Sequence, residues 1–546
     1  MGTIRPGDAG VNRERPFALI IGAGFAGSLM ARVLARLGKS ALLVDKSRHP
    51  RFALGESTTP LANLSLERLA ARYRLEDLHD LAAYGRWMSR MPELRRGLKR
   101  GFTFYHHTAG QPYDNGPDND RRLLVSASPN ARIADTHWLR SDLDAFLIAR
   151  ASEEGVQVRQ ETLVSDVTID AENGVSARLL GPRGEESVEA EIVIDAGGGG
   201  GVLATSLGLR SRLDRVSLDT SLIYTHTDGL RPLREVTPLA NHDHSPYPDE
   251  RAAVHHLLGS VGWLYVLRFD HGPASVGLVL RNDRLPMPRE QIEAWPEAAL
   301  DRLLEPYPSL HETFESAEPV RPVRFIPRLQ HRLEQAAGPR WFLLPSAYAF
   351  FDPMFSTGIA WNLLAVERLA SIFEGRYGDA GTYSSLLHKE ADQVESLIDS
   401  AYRALDDGGD GGGGFDRFVA VSCLYFAAAS YAETRQRLMP ARASRPDAWS
   451  GLLGADDPVL GSLVRQTRDR LGQASRRLSL RWRNPDIASW LLSRLSSRDI
   501  MGLDAPARPR LYPVDLEILE QRCDRLGLTP EEIFAALPRL RGEAGL

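Results

Sequence analysis

The sequence predicts an α/β fold in three parts: a Rossmann-type nucleotide-binding unit, an antiparallel sheet inserted into it, and a helical C-terminal region. Three observations predict it. An apolar run over residues 17–21 leads into Gly22-Ala23-Gly24-Phe25-Ala26-Gly27, then a helical pattern, then a second apolar run over 41–44 that stops on Asp45. The middle third alternates or runs apolar at strand length over 217–227, 253–258, 262–269 and 274–280. Beyond Gly381 the periodicity is helical to the end, interrupted by the glycine-rich stretch 406–414, a loop by composition.

The first unit is strand, glycine turn, helix, strand, acid. Gly22 permits the tight turn, Gly24 lets a pyrophosphate approach the backbone, and Gly27 lets helix and strand pack closely. The helix beginning near Phe25 offers free N–H groups and a positive dipole end to phosphates. Asp45 sits at about the spacing, ~20 residues, expected of a carboxylate that holds a ribose hydroxyl. Residues 17–215 and 320–400 are assigned to this discontinuous unit, 216–319 to the inserted sheet on the substrate side, and 401–546 to the helical region. Residues 1–16 are polar and read as a flexible arm.

A chain of 546 residues exceeds one ordinary core. Its 43% hydrophobic and 25% charged content is that of a globular protein. A net charge of −5 with no basic block argues against nucleic acid as a partner. The longest uncharged apolar stretch, 418–432, is too short to span a bilayer and reads as a buried helix. Cys423 and Cys523 cannot form a disulfide framework and read as buried thiols in helices. With no apolar signal core at the start, this predicts a cytoplasmic protein. Lysine occurs only at Lys39, Lys46, Lys99 and Lys389, so arginine is this chain's generic cation.

Further along, Gly55-Glu56-Ser57-Thr58-Thr59-Pro60 opens a loop before a helix carrying Leu64, Leu66, Leu69 and Ala70, with Pro60 near the first helical position. Residues 95–107 end in a strand-like aromatic alternation. Asp142 falls in the first turn of a helix through Leu143 and Leu147. Short strands are expected at 156–158, 163–169 and 191–196, the last running into a second glycine turn. Residues 301–315 are helical, 320–326 and 341–344 strand-like, and 351–358 form a turn into a helix over 359–373.

The order of these motifs resembles the flavin-dependent halogenase family, within the wider group of FAD enzymes of the glutathione-reductase and aromatic-hydroxylase type. Gly22–Gly27, 55–60, 98–104, 262–279, 351–358 and Asp195-Ala196-Gly197-Gly198 carry the resemblance, over roughly residues 17–400. It implies FAD as cofactor, reduced by a separate flavin reductase, because the sequence shows no second dinucleotide unit. It implies that bound chloride or bromide is oxidised to hypohalous acid, and that a lysine passes the halogen to an electron-rich aromatic or pyrrole, free or bound to a carrier protein.

On this resemblance the FAD-binding positions are Gly22, Gly24, Phe25, Ala26, Gly27, Asp45, Glu56, Ser57, Arg140, Val164, Asp352, Gly358 and Ile359, with Glu56 and Ser57 along the flavin and Arg140 near the phosphates. Thr357 and Gly358 match the halide positions, at a helix start that suits an anion. The same N–H groups could instead support the flavin pyrimidine edge. Lys99, before Gly101 and a short aromatic strand, is the delivering lysine. An ammonium can lose its proton when desolvated, whereas a guanidinium cannot. The alternative is a solvated basic edge shared with Arg95, Arg96 and Arg100.

Three positions depart from the family pattern. Trp263-Leu264-Tyr265-Val266-Leu267-Arg268 stands where many halogenases carry Trp-x-Trp-x-Ile-Pro, which leaves a monooxygenase or dehydrogenase as the alternative activity. Pro345-Ser346 replaces Gly-Asp. On the resemblance, Phe355 stands at the place of the glutamate that assists lysine in tryptophan halogenases, which argues against the free-tryptophan type. His255 and His256 alternate along a strand, so one is expected to face solvent; no metal site is predicted. His106 and His107 lead from Lys99 into the substrate sheet, as a base or as ordinary packing. A non-catalytic flavin sensor is the remaining class, and the extent of substrate sheet argues against it.

Overall fold

The computed structural model describes residues 15–116, 118–199, 201–237, 245–406, 413–438, 449–477, 486–504 and 508–540. Its nucleotide-binding layer is a six-stranded sheet in the order Ala337–Gly338, Trp341–Leu343, Ile192–Asp195, Ala18–Ile21, Ala41–Val44, Gln157–Arg159. All pairs are parallel except the first. The central strands are buried on both faces, which is why they read as continuous apolar runs. The helix Phe25–Arg36 crosses between the strands Ala18–Ile21 and Ala41–Val44, and ten of its residues are buried.

The arm expected over 1–16 is described only from Arg15. There, Arg15 Nη2 donates to Ala190 O at 2.7 Å and Glu191 N donates to Pro16 O, so its last two residues are pinned.

The substrate-side sheet has nine strands and reaches beyond 216–319. Around Thr220–Asp228, Ala274–Arg281, Gly262–Arg268 and Ala253–Leu257 it gathers Gly101–His106, Arg122–Ser126, Arg324–Ile326, Glu318–Pro319 and Leu511–Tyr512. It is not wholly antiparallel, since Ala253–Leu257 pairs parallel with Gly101–His106 and Leu511–Tyr512 parallel with Arg122–Ser126. The C-terminal region is therefore not wholly helical: one short strand returns to close the sheet edge.

Both faces of this sheet are covered. Phe102, Phe104, Trp263 and Tyr265 turn to the main core, while Tyr105, Val254, Leu264 and Val266 turn to a second cluster that includes Leu304 and Leu310. That corrects the histidine expectation. His255 and His256 are only 2% and 4% exposed, one against Phe104 and Trp263, the other against Tyr105 and His107, because helices cover the face that was expected to meet water.

The main core runs without a break from Ala18 to Ile533, so the C-terminal helices belong to it. The stretch 418–432 lies in the buried helix Gly413–Leu438, which starts inside the expected glycine loop; residues 407–412 of that loop lie outside the described residues. Phe418 and Phe426 pack edge-on and tilted against Phe104 and Phe102. Cys423 and Cys523 are buried and unpaired. Among the described residues no helix is long and apolar enough to cross a membrane.

Candidate active site

The glycine turn is built for close approach. Gly22 has φ +98°, and a Cβ there would lie 2.8 Å from Ala196, while one on Gly27 would lie 2.0 Å from Gly22 O. A Cβ on Gly24 would stand 3.2 Å from Arg140 Nη2 and 3.6 Å from Arg51 Nη2, so two guanidinium groups rim the turn where a pyrophosphate would lie.

Arg140 is held there by a buried ion pair with Asp144 at 2.8 Å, by Leu54 O at 2.7 Å, and by the Phe25 ring 4.7 Å away. Asp45 accepts from Ala23 N and Ser47 N, both at 2.8 Å. Burial alone would raise its pKa, but the His49 hydrogen bond, these amides and Arg51 bring it down to about 2. Val164 is buried beside a bulge in its strand. The cradle fits the adenosine diphosphate half of FAD.

Glu56 and Ser57 lie on a loop clamped to the strand Asp135–Trp138. Trp138 N donates to Glu56 O at 2.7 Å, and Thr58 exchanges two hydrogen bonds with Thr136, at 2.8 and 2.9 Å. The Glu56 carboxylate meets His226 Nε2 at 3.1 Å, both side chains 1% exposed. Ser57 Oγ is buried without a partner.

Lys99 ends the strand Arg96–Lys99 and lies directly opposite Asp135 on its antiparallel neighbour. It is fully buried, so the solvated-edge alternative does not hold for it, whereas Arg95 is exposed and paired to Asp142. Lys99 Nζ donates to Thr58 O at 2.5 Å and stands 4.0 Å from the centre of the Phe102 ring. Burial pushes the ammonium pKa down and the Asp135 carboxyl up, each restrained by the other's charge. His137 and His255, both held neutral by burial down to about 3, stand near enough for Lys99 to add to that shift.

The third element is the turn at Asp352. Trp263 Nε1 donates to Tyr402 Oη at 2.8 Å, and Tyr402 Oη donates to Asp352 Oδ2 at 2.8 Å; Asp352 Oδ1 accepts from Met354 N at 3.0 Å. This chain ties the substrate sheet and the helix Ala380–Leu405 to the turn. Burial raises the Asp352 carboxyl to about 7 against those hydrogen bonds. Ser356 then adopts φ +55° and the helix Thr357–Phe373 begins with no side chain capping it. A Cβ on Gly358 would meet nothing within 4 Å, so the backbone there borders open space. Asn362 braces this first turn by donating to Gly358 O at 2.8 Å and to Ser346 Oγ at 2.7 Å. Phe355 is buried and stacks on Tyr425 at 4.2 Å.

A cavity of about 440 Å³ lies between Asp135 and the start of the helix Thr357–Phe373. Thr59, Asn63, Phe102, Asp135, Thr357 and Tyr425 line it, with Ile500, Val514 and Leu516 of the C-terminal region across from them. Lys99 itself does not line the cavity; it stands behind Asp135 and Phe102. Nor does His107, whose Nε2 lies 3.0 Å from His256 Nδ1 on the other face of the sheet, as packing. His106 stacks on Phe415. Sequence reasoning missed Asn63, Asp135, Arg51, His226 and Tyr402. Of these only Asp135 carries a sequence signal, a carboxylate in the strand-like run Ala134–Trp138 otherwise free of acids.

Residues 17–229 match the FAD binding domain family and residues 136–407 match the tryptophan halogenase family. The monodechloroaminopyrrolnitrin halogenase PrnC of Pseudomonas fluorescens is 29% identical over 357 residues, 65% of this chain and 60% of the relative. The tetracycline 7-halogenase of Kitasatospora aureofaciens is 28% identical over 390 residues, 67% of this chain and 68% of the relative. A solved structure of halogenase PltM in complex with phloroglucinol and FAD superposes with a TM-score of 0.78 at 23% identity, over 91% of this chain and 99% of that one. The match thus spans 60% of the length of PrnC, while the fold of PltM is covered almost whole. The chain is thus similar to the flavin-dependent halogenases, a group of FAD-dependent oxidoreductases, over its FAD-binding domain and residues 136–407. Its cofactor is FAD.

Proposed function

We propose that this chain places chlorine or bromine on an electron-rich aromatic or pyrrole carbon, using oxygen and FAD reduced by a separate flavin reductase. The observation that carries this reading is the shared cavity. It brings Thr357, at the open helix start, to the same space as Asp135, and Lys99 lies opposite Asp135.

Gly22, Gly24 and Gly27 hold the nucleotide backbone-close, Arg51 and Arg140 offset the phosphates, and Asp45 takes the ribose. Glu56 and Ser57 run along the flavin, Val164 closes the adenosine side, and Asp352 fixes the turn that delivers Gly358 and Ile359. When bound, reduced FAD would supply the two electrons that activate molecular oxygen, and that oxygen in turn oxidises the halide to hypohalous acid. Thr357 and Gly358 hold the halide through backbone N–H groups, which bind an anion without a full countercharge. The neutral Lys99 amine exchanges an N–H proton for the halogen, releasing water. It is restored when the substrate carbon takes the halogen and its C–H proton passes back to the amine. Burial favours the neutral amine this needs.

We also place the protein in the cytoplasm, a reading supported by its two buried, unpaired thiols. The test is turnover of a panel of phenols and pyrroles with FAD, NADH, a flavin reductase and bromide. Products are expected to show the two-isotope signature of bromine in the mass spectrum. Products carrying only added oxygen would replace this reading with the monooxygenase one.

A further inference from the structure

The polar groups around the 440 Å³ cavity divide into those already satisfied and those that are not. Tyr425 Oη donates to Phe355 O at 2.8 Å, and Arg437 is held by Glu67 at 3.0 Å and by Glu433 at 2.6 Å. Asn63 and Asp135 are different, as are the hydroxyls of Ser126 and Ser128, which can donate as well as accept. Asn63 Nδ2 donates to Asp135 Oδ1 at 2.8 Å, which fixes the amide: its nitrogen faces the carboxylate and its oxygen faces away. Asn63 Oδ1 and Asp135 Oδ2 are then left as two neighbouring acceptors, each fully buried and without a partner, on side chains 6% and 2% exposed. An amide oxygen accepts and never donates, and a carboxyl oxygen accepts when ionised. Buried acceptors of this kind are costly unless a donor reaches them.

We propose that Asn63 and Asp135 form an acceptor pair that selects substrates bearing a hydroxyl or N–H donor beside the carbon to be halogenated. The inference rests on the halogenase reading above and narrows its substrate class. Three features support it. Phe102, Tyr425 and Phe426 give the same cavity aromatic walls suited to a planar ring. Asp135 and Lys99 are cross-strand partners, which puts their Cα atoms about 5 Å apart with both side chains on one face. A ring anchored through its donor at Asp135 is therefore held beside the strand position of Lys99. The carbon beside that donor is also the one an ortho hydroxyl or a pyrrole nitrogen activates towards electrophiles. Finally, Glu67 and Glu433, which also line the cavity, are both paired with Arg437, whereas Asp135 keeps one oxygen without a partner.

The experiment compares 2-naphthol with its methyl ether, 2-methoxynaphthalene, which keeps the ring and the oxygen, adds one methyl group and has no donor. Binding to the FAD-loaded protein is measured by calorimetry without reductant, and halogenation is measured separately. The wild-type protein is expected to bind 2-naphthol at least about tenfold more tightly than the ether, as a hydrogen bond to a buried charged acceptor implies. Asp135→Asn and Asn63→Leu, with FAD still bound, are expected to bring the ratio below about threefold. A wild-type protein that does not favour 2-naphthol overturns the inference, as do variants that keep the full preference. Should both variants fail to fold, the wild-type ratio still decides it. Halogenation of neither compound, nor of any compound in the panel, counts against the halogenase reading; it leaves the binding ratio to be judged by itself.

Discussion

The nucleotide cradle and the reactive half of this site are built in opposite ways. The cradle is mostly local, with Arg140 and Val164 added from later segments. Gly22, Gly24, Gly27, Asp45 and Glu56 fall within one short stretch of chain, and its geometry is set by backbone that has no room for a Cβ. The reactive half is assembled from five distant segments, around Thr58, Lys99, Asp135, Asp352 and Tyr425, and is held by buried side-chain hydrogen bonds. A backbone site tolerates side-chain change except at its glycines, whereas a side-chain site depends on each partner being desolvated and paired. The cofactor and the chemistry are therefore separable by mutation.

Four outcomes sharpen that difference. Gly27→Val, whose Cβ alone would meet Gly22 O at 2.0 Å, should abolish FAD binding and most of the folded yield, read from flavin absorbance of the purified protein. On the reactive side, burial lowers the Lys99 pKa while Asp135 raises it, with neutral His137 and His255 alongside. If the neutral amine reacts, kcat should rise with pH at values well below the ordinary lysine pKa of about 10.4. Asp135→Asn removes the anion, so this rise should move to still lower pH. A rise centred at the ordinary lysine value would mean the amine is hydrated during turnover.

Tyr402→Phe leaves Trp263 Nε1 and Asp352 Oδ2 without partners and should lower stability by about 3 kcal/mol. FAD should still bind through its glycine half, with weakened protection of amides near Thr357 in hydrogen exchange. Asp45→Asn should cost about 2 kcal/mol at neutral pH, from a folded pKa of about 2 against the ordinary 3.8. Because that pKa is depressed, the contribution is complete above the unfolded value and is lost as pH falls through the folded one. The difference between wild type and variant in urea melts should therefore shrink below pH 4.

What the sequence revealed follows the same division. The strand–turn–helix unit, Asp45, Pro60 at its helix start and the helix after Gly358 are all encoded by neighbours within a few turns of chain. Lys99 is singled out in the sequence by the family motif and by its rarity as a lysine. Asp135 is not, because its pairing with Lys99 is a matter of strand register across 35 intervening positions. The burial of His255 and His256 was misjudged for a similar reason: alternation shows that a strand has two faces but not that both are covered. The edge strand Leu511–Tyr512 is two residues long, too short for any periodicity to mark it.

The central claim, that the chemistry resides at Lys99 apart from the cofactor, is tested most directly by Lys99→Ala. Flavin content and halogenated product should be measured on one preparation with reductase, oxygen and bromide. The account predicts FAD bound as in the wild type and product reduced by at least about a hundredfold. Undiminished halogenation with FAD bound would contradict it.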